Sequence, residues 1–214
     1  MFLLIMGPPG SGKGTQAKIL AREFQIPHIS SGDIFRQAME INDELGDELQ
    51  LAINKGQLVP DDLTNRIVAR RLRKDDCKKG FILDGYPRTI GQGDALEILL
   101  DSLGCKLEKV INLDVDSNVI IGRLSKRLLC KNCGASFNLI TNPPKNKGVC
   151  DYCNCTLSVR EDDNDKTVVN RLKIYEEKTK PLIKYYDDKK LLCNIKGDVE
   201  VTEATKAILA CLKG

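Results

Sequence analysis

The sequence lacks an excess of charge of either sign. Its 33 lysines and arginines are offset by 30 acidic residues, for a net charge of +3. Because the two signs are interspersed, there is no bulk electrostatic case for binding nucleic acid or an anionic membrane, and any cationic site must be local. Long apolar runs are also missing, so no segment reaches the roughly 20 residues needed to cross a bilayer. The first apolar run, Phe2 to Met6, has no basic region before it and stops at Gly7-Pro-Pro-Gly10. It reads as a buried strand and not a signal peptide, so a cytoplasmic protein is expected. There is a single histidine, His28, without a partner nearby in sequence, which reads as structural. No repeat, low-complexity tract or extra interaction segment occurs, and a monomer is expected.

At 214 residues and 42% hydrophobic, the chain can bury a sizeable core as one domain with insertions. Nine cysteines would suggest disulfides in a secreted protein, but five of them crowd between Cys130 and Cys155 and the rest are scattered singly. That clustering points to metal.

The stretch Met6 to Gln16 organises the rest. An apolar strand leads into a glycine-rich turn and then into Ala17, Leu20, Ala21 and Phe24 at helical spacing. Gly7, Gly10, Gly12 and Gly14 let the backbone bend and turn N–H groups inward, where with the helix N-terminus they form a cradle for anionic phosphate. Lys13 adds a positive charge. The pattern is G-x-x-x-x-G-K, a P-loop, except that Gly14 follows the lysine and the hydroxyl comes one residue later, at Thr15.

Further along, residues 26–30 read as a second strand and Ser31-Gly-Asp33 as a helix start. Residues 31–73 read as helical throughout, punctuated by Gly46, Gly56 and Pro60 and anchored by Leu45, Leu49, Leu51 and Ile53. Arg36 lies one turn into that segment. Residues 80–84 form a third strand that ends in Asp84, the position from which an acidic residue holds the Mg²⁺ shell in P-loop enzymes, directly or through water. Pro87 stiffens the turn presenting Arg88, and the amide of Gln92 can read a base edge. A fourth strand spans 109–115. A helix over 118–129 would carry Arg123 and Arg127 on one face, as a polyphosphate grip. A long helix from 166 to 187 bears Arg171, a fifth strand covers 191–195, and a closing helix runs from 203 to 212.

Cys130-Lys-Asn-Cys133 and Cys150-Asp-Tyr-Cys153 are paired hooks at Zn²⁺ spacing. Four thiolates close a tetrahedron, so the site is expected to be structural, with Cys155 as a spare thiol or alternative ligand. The intervening sequence is too poor in apolar residues to order itself without metal. Strands alternating with helices imply an α/β P-loop fold in three layers, a five-stranded parallel sheet with helices on both faces and the ligand crevice at the carboxyl ends of the strands.

Four blocks, residues 7–15, 30–36, LDGYPRT with Gln92, and the arginine-rich segment around the cysteines, together resemble the adenylate kinase family of nucleoside monophosphate kinases, in its long-lid, zinc-containing bacterial type. The resemblance spans the whole chain. It implies core segments at 1–29, 60–126 and 165–214, a helical acceptor-binding insertion at 30–59 and a zinc-containing lid at 127–164. It implies ATP and AMP as partners, ADP as product, and a water-mediated Mg²⁺ near Asp84. By the same resemblance Gly10, Ser11, Gly12, Lys13, Gly14 and Thr15 cradle the donor phosphates, with Lys13, Arg88, Arg123, Arg127, Arg160 and Arg171 around the transferring group. Ser136, Phe137 and the backbone near Val199 fall to the donor, and Arg127 with them. The acceptor falls to Ser31, Arg36, Gln57, Leu58, Val59, Gly85, Tyr86, Pro87, Arg88, Gln92, Arg160 and Arg171. Ser31 stands where many members have Thr and also resembles relatives that use GTP with AMP. A UMP or CMP kinase would share the P-loop and arginines, although Gln92 and the hydroxyl at 31 favour adenine. The non-enzymatic alternative is a nucleotide-regulated zinc-ribbon binding module.

Overall fold

The computed structural model describes residues 1–39, 49, 51–53, 55, 57–159 and 165–213. Strand β1 (Phe2–Met6) is central because both of its faces are apolar: Leu4 and Met6 enter one core and Leu3 and Ile5 the opposite one. Parallel neighbours flank it, β3 (Phe81–Asp84) with Ile5 beside Asp84, and β4 (Lys109–Asp114) with Met6 beside Asn112. Outside these lie β2 (His28–Ser30), paired to β3, and β8 (Leu192–Lys196), paired to β4. Among the described residues this is a five-stranded parallel sheet in the order β2-β3-β1-β4-β8.

Helices cover both faces. On one side α1 (Lys13–Phe24) and α8 (Val201–Lys213) contribute Ala17, Leu20 and Ile208. On the other, α3 (Asp61–Leu72), α4 (Ile90–Ser102) and α7 (Pro181–Asp188) contribute Val68, Leu72, Leu96, Leu100, Leu182 and Tyr186. The three-layer architecture expected from the strand and helix alternation is the one observed.

Two segments leave this frame. After β2, α2 (Ser31–Met39) begins with Ser30 Oγ accepting from the Asp33 N–H at 3.2 Å, and a small core of Phe35, Leu49, Val59 and Leu63 joins the insertion to α3. The segment 31–73 is not helical throughout, because residues 57–60 are outside any helix and Pro60 opens α3. Leu45, Gly46 and Gly56 lie outside the described residues.

The second segment is a three-stranded antiparallel ribbon, β5 (Arg127–Cys130) between β6 (Ser136–Asn138) and β7 (Leu157–Val159). Here the expected helix over 118–129 is corrected: α5 (Ser117–Leu124) stops at Leu124 and Arg127 opens β5. Arg127 pairs with Asn138 and Cys130 with Leu157, so ribbon pairing overrides the helical spacing, and Arg123 and Arg127 share no helix face. The long helix expected near 166–187 follows one helical path with a break in its type. It comprises α6 (Asp165–Ile174), a π turn (Tyr175–Thr179) closed by the Lys180 N–H on the Tyr175 carbonyl at 2.8 Å, and then α7.

One pair of scattered cysteines is not single. Cys193 on β8 and Cys211 on α8 form a disulfide, because the closing helix packs back over the edge strand that precedes it.

Candidate functional site

The turn after β1 folds as a cradle because its glycines occupy backbone conformations that other residues resist. Gly7 (φ 145°) sits where a Cβ would lie 2.7 Å from the Leu113 carbonyl oxygen, and Gly12 (φ 93°) faces open space. The Ser11 N–H bonds the Pro8 carbonyl at 3.1 Å, and α1 starts at Lys13 with Gly12 as its cap. Ser11 Oγ is buried and has no hydrogen-bond partner among the described residues.

Lys13 bends back to donate to the Pro8 carbonyl at 3.2 Å. Desolvation lowers its pKa to about 8; the Asp84 carboxylate opposes that shift, while Arg88, Arg171 and Arg127 add to it. Three guanidinium groups therefore act on Lys13 just past the carboxyl end of β1. Asp84, at the end of β3, faces them. Burial pushes its carboxyl up, but the hydrogen bond with His28 and the charges of Lys13, His28 and Arg88 outweigh this and hold it below its ordinary value. His28 Nε2 lies 3.2 Å from Asp84 Oδ2, and a Cβ on Gly14 would stand 3.4 Å from that same oxygen. The residue after the lysine therefore lies against the carboxylate at ordinary contact distance.

Two cavities meet here. One is lined by Met6, Gly7, Pro9, Lys13 and Tyr175 along with Leu58, Arg88 and Arg171. The second is lined by Gly32, Arg36, Gln57, Val59, Gly85 and Gln92, and again by Leu58, Arg88 and Arg171. Arg88 is fixed at three points: its Nε donates to the Gly85 carbonyl at 2.8 Å, its N–H to Gln92 Oε1 at 2.7 Å, and its carbonyl accepts from Thr179 Oγ1 at 2.9 Å. Ser31 Oγ donates to the same Gly85 carbonyl at 2.8 Å. The Tyr86–Pro87 peptide between them is cis, and the buried Tyr86 hydroxyl bonds Asn65 Oδ1 at 2.7 Å. Arg36 pairs with Asp33 one turn earlier on α2.

In the ribbon the four thiols of Cys130, Cys133, Cys150 and Cys153 all lie within 4.8 Å of one another. Two matching turns present them. The Gly134 N–H bonds the Cys130 carbonyl at 2.9 Å, as the Asn154 N–H bonds the Cys150 carbonyl at 2.9 Å, and both turns end in a left-handed residue, Gly134 (φ 67°) and Asn154 (φ 58°). Cys155 lies beside Cys153 but outside the set of four, and directs its thiol to the Cys153 carbonyl at 3.6 Å, so the four converging thiols are those of the two C-x-x-C hooks. Four converging soft donors can hold a tetrahedral metal ion.

A family model described as adenylate kinase matches residues 5–191. The chain belongs to the adenylate kinase family. It is 50% identical over 213 residues to an adenylate kinase of Desulforamulus reducens, covering the full length of both. Identity is 49% over 212 residues to that of Caldicellulosiruptor saccharolyticus (99% of each chain) and 48% over 214 residues to that of Bacillus licheniformis (100% of this chain, 99% of the relative).

Most residues singled out from the adenylate kinase resemblance converge. Lys13, Arg88 and Arg171 line the cavities, Arg127 is near enough to act on the Lys13 charge, and Gln57, Leu58 and Val59 close the second cavity with Gln92. Arg123 approaches from α5 and donates to the Gly197 carbonyl at 2.8 Å, at the loop that carries Val199. Gln16 on α1 holds the start of α8, just past that loop, by donating to the Val201 carbonyl at 2.9 Å. Phe137 is buried in the ribbon core and paired with Leu128 of β5, while Ser136 beside it is exposed. Arg160 lies outside the described residues. Sequence reasoning missed His28 as the partner of Asp84 and missed Asp61 and Thr89 altogether. Thr89 could have been found as the capping residue before α4, since its Oγ1 accepts from the Gln92 N–H at 3.1 Å.

Proposed function

We infer that the chain catalyses the reversible transfer of the γ-phosphoryl group of Mg·ATP to AMP, giving two ADP. The observation that carries this is the sharing of Arg88 and Arg171 by two adjoining cavities, one at the phosphate loop and one beside Gln92. Such sharing suits two phosphate chains meeting end to end. The loop of residues 10–15 takes the donor phosphates, and Arg36, Gly85, Arg88 and Gln92 take AMP. The acceptor phosphate oxygen is already anionic, so no general base is needed, and catalysis reduces to alignment and charge neutralisation by Lys13, Arg88, Arg123, Arg127 and Arg171. Arg160 joins them by its place in the family pattern.

Asp84, kept ionised beside the loop, fits a Mg²⁺ ion held through water. When bound, that ion supplies charge neutralisation on the donor phosphates. The four-thiol cluster suits structural Zn²⁺. The segment 127–164, which carries the ribbon, serves as a lid: Lys18 on α1 donates to the Gly134 carbonyl at 3.0 Å, and the Arg22 guanidinium stands 5.9 Å from the centre of the Tyr152 ring, so both hook turns rest on the core helix. Closure of this kind keeps water from the transferring group. The substrates and the balanced charge suit a monomer in the cytoplasm, and among the described residues no helix is long and apolar enough to cross a membrane.

One assay tests the reading. AMP, CMP, UMP and GMP are offered as acceptors with ATP and GTP as donors, and AMP with ATP is expected to be fastest. Fast transfer to CMP but not AMP would move the assignment to a pyrimidine kinase, and no transfer to any acceptor would favour a nucleotide-regulated zinc ribbon.

A further inference from the structure

Gln92 is buried, lines the second cavity, and has both ends of its amide already engaged. Its Nε2 donates to Asp61 Oδ1 at 2.7 Å, and its Oε1 accepts from the Arg88 backbone N–H at 2.7 Å. The other oxygen of Asp61 accepts from Thr89 Oγ1 at 2.7 Å, and Thr89 in turn caps α4, the helix on which Gln92 stands. These partners are chemically one-way. An ionised carboxylate can only accept, and a backbone N–H can only donate. A primary amide that reads a base edge could otherwise rotate half a turn and exchange its donor with its acceptor. Here a rotated amide would set oxygen against the Asp61 carboxylate and N–H against the Arg88 N–H, leaving two mispaired contacts in a buried site.

We propose that Asp61 is a specificity-determining positioning residue. By fixing the polarity of the Gln92 amide, it makes the acceptor site select bases with an amino group next to an unprotonated ring nitrogen and reject the corresponding oxo bases. The amide keeps one N–H and one lone pair for the base. Adenine matches this pair, since N1 accepts and the 6-amino group donates. Hypoxanthine and guanine reverse both, with N1–H donating and O6 accepting, and could be read only by a turned amide. Cytosine has the same polarity as adenine, so the lock sorts amino from oxo bases and leaves purine against pyrimidine to the size of the cavity. This deepens the acceptor assignment above and rests on it.

The test uses the wild-type protein and three acceptor-site ligands: AMP, purine riboside 5′-monophosphate, which lacks the 6-substituent, and IMP. With a fixed amide the purine ribotide loses one hydrogen bond and binds about tenfold more weakly than AMP, whereas IMP loses two and repels, and binds more weakly still, on the order of a hundredfold below AMP or beyond. With a freely turning amide IMP would regain both bonds. IMP binding as tightly as or tighter than the purine ribotide therefore overturns the proposal. In the near-isosteric Asp61→Asn variant, residue 61 can offer an N–H to a turned amide. The ratio of kcat/KM for AMP over IMP should fall about tenfold with the KM for ATP unchanged, and an unaltered ratio would count against the lock. Failure of AMP to accept a phosphoryl group at all would remove the acceptor assignment itself. AMP turnover accompanied by the wrong ligand order would overturn the Asp61 role alone.

Discussion

Lys13 shows how a single residue sets the electrostatics of the site. Burial lowers its pKa to about 8, below the unfolded value of roughly 10.4, and Arg88, Arg171 and Arg127 push in the same direction. Between those two values the unfolded chain binds the proton more readily than the folded one, so the cost of burying the charge is full below pH 8 and is relieved as pH rises. A polyphosphate in the cradle supplies the missing counter-charge and keeps the proton on. Nucleotide binding should therefore take up a proton near pH 9, and affinity should fall as pH rises through about 8. Calorimetry at that pH in two buffers of different ionisation heat measures the uptake, and an identical heat in both would contradict this account of Lys13. His28 matters at the same scale through Asp84, because the imidazole holds one carboxylate oxygen in place.

At the scale of elements the cysteine-bearing ribbon behaves as a unit whose core is mainly Cys130, Cys150, Ala135, Phe137 and Leu157. So small an apolar cluster cannot order three short strands alone, and a metal held by the four thiols would supply the rest. Cys150→Ser should lower the melting temperature by several degrees while the sheet and phosphate loop still bind nucleotide, as thermal denaturation with and without ATP would report. Metal analysis that found no bound ion in the purified protein would contradict the structural role. The same ribbon touches α1 through Lys18 and Arg22. A bisubstrate analogue should slow hydrogen exchange across residues 127–164, and equal exchange with and without it would argue against a moving lid. The hooks were legible from sequence because coordination itself dictates C-x-x-C spacing. The secondary structure of Arg127 was not, since an i, i+4 spacing looks helical until pairing with Asn138 claims the segment.

At the scale of the whole molecule, the parallel sheet and its crevice follow from apolar strands alternating with helices, and the glycine loop, Asp84 and Arg88 could be placed at one end of the sheet from sequence alone. Contacts between distant residues could not. His28 meets Asp84 across 56 residues, Asp61 meets Gln92 across 31, and Cys193 meets Cys211 across 18. No local pattern announces such pairs, because the fold alone brings them together. The disulfide closes the last strand and helix against each other, and chain-entropy reasoning assigns a loop of that length about 3 kcal/mol. A thiol reductant should accordingly lower the melting temperature while leaving turnover at low temperature little changed, because neither cysteine lines the cavities. Equal melting curves with and without reductant would remove this role.

Arg88, with Arg171 beside it, is proposed to serve two phosphate chains at once. The most direct measurement is the turnover of Arg88→Ala with saturating ATP and AMP, taken alongside its unfolding transition. A rate lower by on the order of 10² to 10³ is expected in a variant that melts as the wild type does. A folded variant with near-normal turnover would contradict it.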